Sequence, residues 1–320
     1  MKNTIHTTNT KAFSMLELVF VIVILGIVSS IGASVIAKVY ESYIIQRAVH
    51  RASIKTELAI NQLANRLTYR INGSVLAKDK NGANAIALRD ITSTTANFAD
   101  YRILEWIGYE NDGFSAKNAP GWSGFADLGH ANTKFESIET TGSDLLFERN
   151  LLGNLFPGST PAILFMTNNY KDNTAAGGIG KIPYAPLCMY RGDNTGCIFP
   201  VHLLAGNTTL TFTGVSDRVS PEMIYNEFYQ LAASAYAVVP DTAPHKVIVG
   251  GTDVWDLHLH ANYQPWSGDT YLNGTKSLLL KNVSVFRFTQ ETNSVRIKLC
   301  VIEAVGDTEI SICKEKAVIR

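Results

Sequence analysis

The chain has 320 residues, and its 28 basic and 28 acidic side chains cancel to a formal net charge of zero. That balance provides no global field for a nucleic-acid partner, and none is expected. With 46% hydrophobic and 10% aromatic residues, the composition also excludes a disordered polar chain and implies an ordered core.

Residues 1–12 are polar and mildly basic, with Lys2 and Lys11, and read as a leader outside the fold. Removing them lowers the basic count from 28 to 26 and leaves a net charge of −2. Next comes Phe13-Ser14-Met15-Leu16-Glu17, then an apolar run from Leu18 to Ala37 without a charge. Twenty helical residues at about 1.5 Å each match a bilayer core of roughly 30 Å. Glu17 stands at the edge of this run, where a carboxylate in hydrocarbon costs about 2.5 kcal/mol or more.

The order Lys-Ala-Phe-Ser-Met-Leu-Glu-Leu ahead of an apolar helix resembles the type IV prepilin signature, shared by pilins and type II secretion pseudopilins. The resemblance implies cleavage between Ala12 and Phe13 by a prepilin peptidase, N-methylation of Phe13, and an assembly role for Glu17. In a filament, Glu17 would neutralise the new amine of Phe13 on a neighbouring subunit, each charge satisfying the other at low dielectric. Two positions depart from the family: Ala12 stands where Gly is usual, and Ser34 stands near the usual Pro. The charges flanking the run, Lys2 and Lys11 before it and Lys38, Arg47, Arg51 and Lys55 after it, do not favour a cytoplasmic N-terminus. That orientation, with a single pass through the inner membrane, is expected from the leader motif and from the downstream cysteines.

Residues 13–37 are therefore expected as the transmembrane half of a helix and 38–72 as its amphipathic half. Ile45, Ala48, Ala52, Ala59, Leu63 and Leu67 recur at three- and four-residue steps, with Arg47, Arg51 and Lys55 as an opposing solvated stripe. Asn72-Gly73-Ser74 is the expected stop. The remainder, 73–320, is expected as one β-rich globular part, periplasmic or extracellular once assembled. The family fold implied is α+β: a long N-terminal helix packed on an antiparallel sheet, with large loop insertions.

In 73–160, Tyr101 to Gly108 and Asp144 to Glu148 read as strands, and Asn111 to Ser137 as loop. Further on, Pro161 to Met166, Thr208 to Thr213 and Val254 to His260 read as strands, and Pro221 to Ala237 as a helix with Met223, Ile224, Phe228, Leu231 and Ala235 on one side. The end of the chain is a meander: Ser277 to Thr289, Val295 to Ala304 and Glu309 to Ile319, with turns at Gln290–Ser294 and Val305–Thr308. It resembles the terminal meander of large minor pilins and J-type pseudopilins, a group that also includes the W-type.

Four cysteines form two local pairs, Cys188 with Cys197 and Cys300 with Cys313, expected as disulfides of an exported domain. A turn at 305–308 sets Cys300 opposite Cys313. No Cys-x-x-Cys spacing supports the rival reading of zinc. No metal site and no cofactor are expected, although the Asp, Asn and Gly of 169–178 and 191–196 would also suit calcium. His258 and His260 share a strand face but have no third ligand at metal spacing and read as a surface pair. Gly177 to Ile182 fails as a phosphate loop, and Gly121-Trp122-Ser123-Gly124 misses the nucleophile-elbow pattern. Arg191-Gly192-Asp193, inside the Cys188–Cys197 interval, reads as a chance tripeptide or a tip contact.

No constellation supports an enzyme. The expectation is a minor pilin or pseudopilin at or near the tip of a type IV pilus or type II secretion pseudopilus. Its partners would be prepilin peptidase, other pilin or pseudopilin subunits, the inner membrane and the assembly platform. The alternative is a signal-anchored periplasmic binding or adhesion domain that does not polymerise.

Overall fold

In a computed structural model, described residues are 14–91, 100–116, 119–134, 136–165, 189–190, 198–204, 208–213, 227–247 and 251–319. The expected leader, Ala12 and Phe13, Cys188 and Cys197, the Gly177–Ile182 stretch, the tripeptide at 191–193 and the oxygen-rich loops at 169–178 and 191–196 lie outside them.

Helix α1 (Met15–Thr68) follows Ser14 and contributes to two units that divide between Arg51 and Ala52. In the first unit, the described side chains are largely exposed. In the second, α1 buries Ala52, Thr56, Ala59, Ile60, Leu63, Ala64 and Leu67 along one face. The fully buried face begins at Ala52, with Ile45, Ala48 and Val49 half-buried ahead of it. The stripe residues Arg47, Arg51 and Lys55 are exposed, and Lys55 lies 3.7 Å from Glu303. Thr68 is the last helical residue, and Gly73 adopts φ 77°, a left-handed conformation that ends the connection cheaply only in glycine.

Thirteen strands follow among the described residues: β1 (Leu76–Asp79), β2 (Ala85–Ala87), β3 (Tyr101–Tyr109), β4 (Ser137–Glu139), β5 (Ala162–Phe165), β6 (Phe199–Leu203), β7 (Thr209–Phe212), β8 (Tyr229–Pro240), β9 (His245–Lys246), β10 (Asp253–Tyr263), β11 (Thr275–Glu291), β12 (Ser294–Val305) and β13 (Thr308–Ile319). Two short helices intervene, α2 (Asn111–Phe114) and α3 (Leu145–Leu155). Every strand pairing is antiparallel, and the main path runs β13-β12-β11-β10-β8-β5-β6-β7-β4. The architecture is thus α+β, with a long helix and a large antiparallel sheet.

Strand β8 is the hub. Ala232 is paired with both Tyr109 and Ala162, and Ala235 with both Ile107 and Tyr263. Strand β3 therefore holds one edge of β8, while β5 and then β10 share the other. Both faces of β8 are buried as well: Tyr229, Leu231 and Ala233 join one apolar cluster, and Ala232, Ala235 and Ala237 join another. This overturns the helix expected at 221–237 over its described portion. A central strand buried on both faces has no polar alternation, so small apolar residues at three- and four-residue steps imitate a helix.

Residues 144–148 are also corrected, from strand to the start of α3. Asp144 Oδ1 accepts the backbone N–H of Phe147 at 3.0 Å as N-cap. Leu145, Glu148 and Leu152 form the inward face of that helix. The helical period is hidden in the sequence because one of its inward positions is a carboxylic acid.

The terminal meander forms as expected, with β11 longer than its reading at both ends. Val305 faces Thr308, and Cys300 faces Cys313 to form a disulfide. Leu280, Phe286 and Phe288 of β11, with Val295, Ile297 and Leu299 of β12, pack in one cluster with Ile60, Leu63 and Leu67 of α1. Each such side chain contributes roughly 1.5–3 kcal/mol on burial. Arg70, just past the helix end, is buried and ties these parts together. Its guanidinium donates to the carbonyl oxygens of Leu67 (2.8 Å), Asn293 (2.6 Å) and Val318 (3.3 Å).

Candidate functional site

Of the features outside the packed core, two bear on function. The first is the N-terminal part of α1. Its apolar window has mean hydropathy 2.7, with none of it buried, and it is long and apolar enough to cross a membrane. Phe20, Ile24, Leu25, Ile27 and Val28 are exposed all round the helix. Such an all-apolar surface is unstable in water and calls for hydrocarbon or other protein around it.

Two hydroxyl groups of this segment bond within the helix. Ser34 Oγ donates to the Ile31 carbonyl at 2.8 Å, as a hydroxyl in an apolar setting must. At the start, the Glu17 N–H donates to Ser14 Oγ at 3.3 Å and to the Ser14 carbonyl at 3.0 Å. Ser14-x-x-Glu17 has the spacing of a helix-initiating capping box, and an acid in the first turn is favoured by the helix dipole. Glu17 thus has a local role in starting the helix, and no cationic side chain is paired with it among the described residues.

The second feature is a cleft of about 350 Å³ on the globular unit. Gln62, Asn65 and Arg66 of α1 form one wall, Tyr109 and Tyr236 of the sheet form another, and Glu110 lies at the end of β3. Arg66 stands over the Tyr236 ring at 5.0 Å. Beneath the rim lie two carboxyl groups. Glu110 Oε1 accepts the N–H of Asp112 at 2.9 Å. Its Oε2 accepts those of Gly113 at 2.8 Å and of the Trp122 indole at 3.1 Å. Glu148 is fully buried beside it, and no described donor reaches either of its oxygens. A Cβ on Gly113 or Gly121 would overlap Glu148 Oε2, so glycine at both positions makes room for the acid.

Burial, then the negative charge of Glu110, push the Glu148 carboxyl up to about 9. Glu110 is raised too, chiefly by burial, while the bonds from Gly113 and Trp122 pull it back. Another buried acid of the core is treated differently. Glu105 lies 2.5 Å from Lys78 Nζ and accepts the Tyr263 hydroxyl at 2.6 Å. Its negative charge, after burial itself, helps hold the Tyr263 phenol well above its usual range.

His258 and His260 do not form a surface pair. His260 is buried, with Nδ1 at 2.8 Å from the Tyr271 carbonyl, and His258 is half-buried at 3.3 Å from Asp241. The Gly274 N–H donates to the Tyr271 carbonyl at 3.2 Å and closes a short turn there, so tertiary packing, not strand alternation, sets the exposure of the two rings. The described residues contain no group of three or more His, Cys, Asp or Glu side chains arranged to hold a metal. Trp122 is a buried core residue, packed edge-on to Tyr109 and tilted against Phe114, and Ser123 bonds to Ser143. Sequence reading missed the Glu110–Glu148 pair; the one available signal was a Glu in a short segment otherwise rich in Leu.

Comparison with protein-family models, with curated proteins and with solved structures finds no match to this chain.

Proposed function

We propose that the chain is a minor pilin or pseudopilin, a membrane-anchored subunit built into a type IV pilus or type II secretion pseudopilus at or near its tip. The observation that carries the reading is α1: it has an exposed apolar segment at one end and the residues Ala52 to Leu67 in the core of a β-rich unit at the other. The prepilin-like residues Ala12, Phe13 and Glu17 support the same reading. Before assembly the apolar segment sits in the inner membrane, with the globular unit in the periplasm. In the filament it packs among the apolar segments of other subunits. The size of the globular unit suits a rare terminal subunit better than a repeated one.

The test is the N-terminal mass of the protein from its own cells, combined with Glu17→Ala. A chain beginning at methylated Phe13, with a Glu17→Ala form that stays in the membrane and fails to enter filaments, supports the proposal. A chain still beginning at Met1, or a variant that behaves as wild type, leaves instead an anchored periplasmic domain that does not polymerise.

A further inference from the structure

Among the buried acids, Glu148 is the one whose charge the fold does not provide for. Its oxygens are buried and meet no described donor, and the carboxyl group of Glu110 acts on it. Glu110 is the opposite case, because three N–H groups converge on its two oxygens. Those donors suit a carboxylate and leave Glu110 as an acceptor. A neutral Glu148 has one O–H to donate, and Glu110 is within its reach. The account closes when Glu110 is ionised and Glu148 carries the proton.

The position of the pair gives that proton a consequence. Glu110 is the N-cap of α2, and Glu148 is on the inward face of α3. Glu110, Asn111 and Asp112 line the cleft, and so does Phe156, which ends α3. Helices α2 and α3 are therefore joined beside the cleft through one acid-to-carboxylate bond. Among the described residues, the charged groups acting on Glu148 are Glu110 and Asp112, both negative, and no described cation offsets them. Trp122 seals the pair from the side, donating from its indole to the Glu110 carbonyl at 2.8 Å as well as to its carboxylate.

We propose that Glu148 is a neutral acid whose single proton, donated to ionised Glu110, latches α3 to α2, and that losing this proton opens the wall of the cleft. On release, the O–H bond of the Glu148 carboxylic acid breaks, hydroxide takes the proton to give water, and no other bond changes. Two buried carboxylates in contact then repel, and α3 moves until one of them reaches solvent. The latch does not depend on whether the chain assembles into a filament.

The experiment uses the full chain in detergent, titrated from about pH 6 to about pH 10, the span over which a strongly raised carboxyl would titrate. Infrared absorption reads the carbonyl stretch of a protonated carboxylic acid, and tryptophan emission reads the surroundings of Trp122. The wild type should keep the acid band at neutral pH and lose it together with a red shift in emission. Glu148→Gln, an amide of the same shape that still donates to Glu110, should lack the band and show flat emission. Glu110→Gln removes the repelling charge and should lower the midpoint by about one pH unit or more. That variant tests the idea even where Glu148→Gln fails to fold. A folded wild type with no acid band at neutral pH overturns the proposal, as does an unmoved midpoint in Glu110→Gln. Calcium ion that raises the wild-type melting temperature at neutral pH, but not that of Glu148→Gln, would overturn it too and make the pair a cation site.

Discussion

Replacing both Cys300 and Cys313 by Ala should cost about 3 kcal/mol of stability. The disulfide spans a sequence separation of 13, and closing a loop of that size in the unfolded chain is worth about 3 kcal/mol in the loop-entropy account. The two residues are directly opposed in the β12–β13 ladder, with paired neighbours on both sides, so the native hairpin keeps its register without the bond. Cys300 is buried and Cys313 exposed, so the loss of folded packing is confined to one side chain. The assay is a urea titration of the full chain in detergent, followed by tryptophan emission; Trp106 belongs to the cluster that holds β12. A freed unfolded chain exposes more surface, so the denaturant slope should rise as the midpoint falls. Substitution is preferable to a reductant because it acts on Cys300 and Cys313 alone among the four cysteines. Destabilisation under about 0.5 kcal/mol would refute the argument, since that is far below the loop-closure value. A full loss with an unchanged slope would also refute it, by placing the effect in the folded state around Cys300.

Truncating the fully buried Leu63 to Ala should destabilise the globular unit by about 3 kcal/mol, measured in the same titration, because the helix face is pinned between strands and cannot collapse. Arg70→Met should cost about 2 kcal/mol, since it leaves the carbonyls of Asn293 and Val318 without their charged donor. Amide exchange should rise first at the end of α1 and at the β11–β12 turn; exchange rising only at distant sites would count against a clamp. Asp144→Ala should cost about 1 kcal/mol through the lost N-cap of α3. Stability should fall as pH rises from 4.5 toward about 9. Over that window an unfolded Glu148 releases its proton and the folded one retains it, a slope of about 1.4 kcal/mol per pH unit. Equal unfolding midpoints at both ends of the window would contradict this sign.

Local pattern alone determined the two ends of the chain. Residues 18–37 are uncharged and largely apolar, a pattern that reads as helix, and the structure leaves that helix exposed. The terminal meander was readable for a similar reason. Its strands are joined by tight turns, so the pairing of Cys300 with Cys313 follows from counting outward from Val305 and Thr308.

The middle of the chain was decided by contacts distant in sequence. Strand β8 is a strand because β3, β5 and β10 occupy its edges and two clusters cover its faces; the segment Tyr229 to Ala237, with its small apolar residues, has no such preference by itself. Helix α3 turns inward a residue that hydropathy assigns to the surface. His260 is buried by a turn that comes later in the chain. The boundary between the exposed and packed parts of α1 lies at Ala52, where the sheet begins to cover it, although the helix pattern is continuous across that point. The Glu110–Glu148 pair is the extreme case. Two ordinary acids stand 38 positions apart in the chain. Tertiary packing brings them into contact and removes the water that would have kept both ionised, and the resulting proton belongs to the fold rather than to either residue.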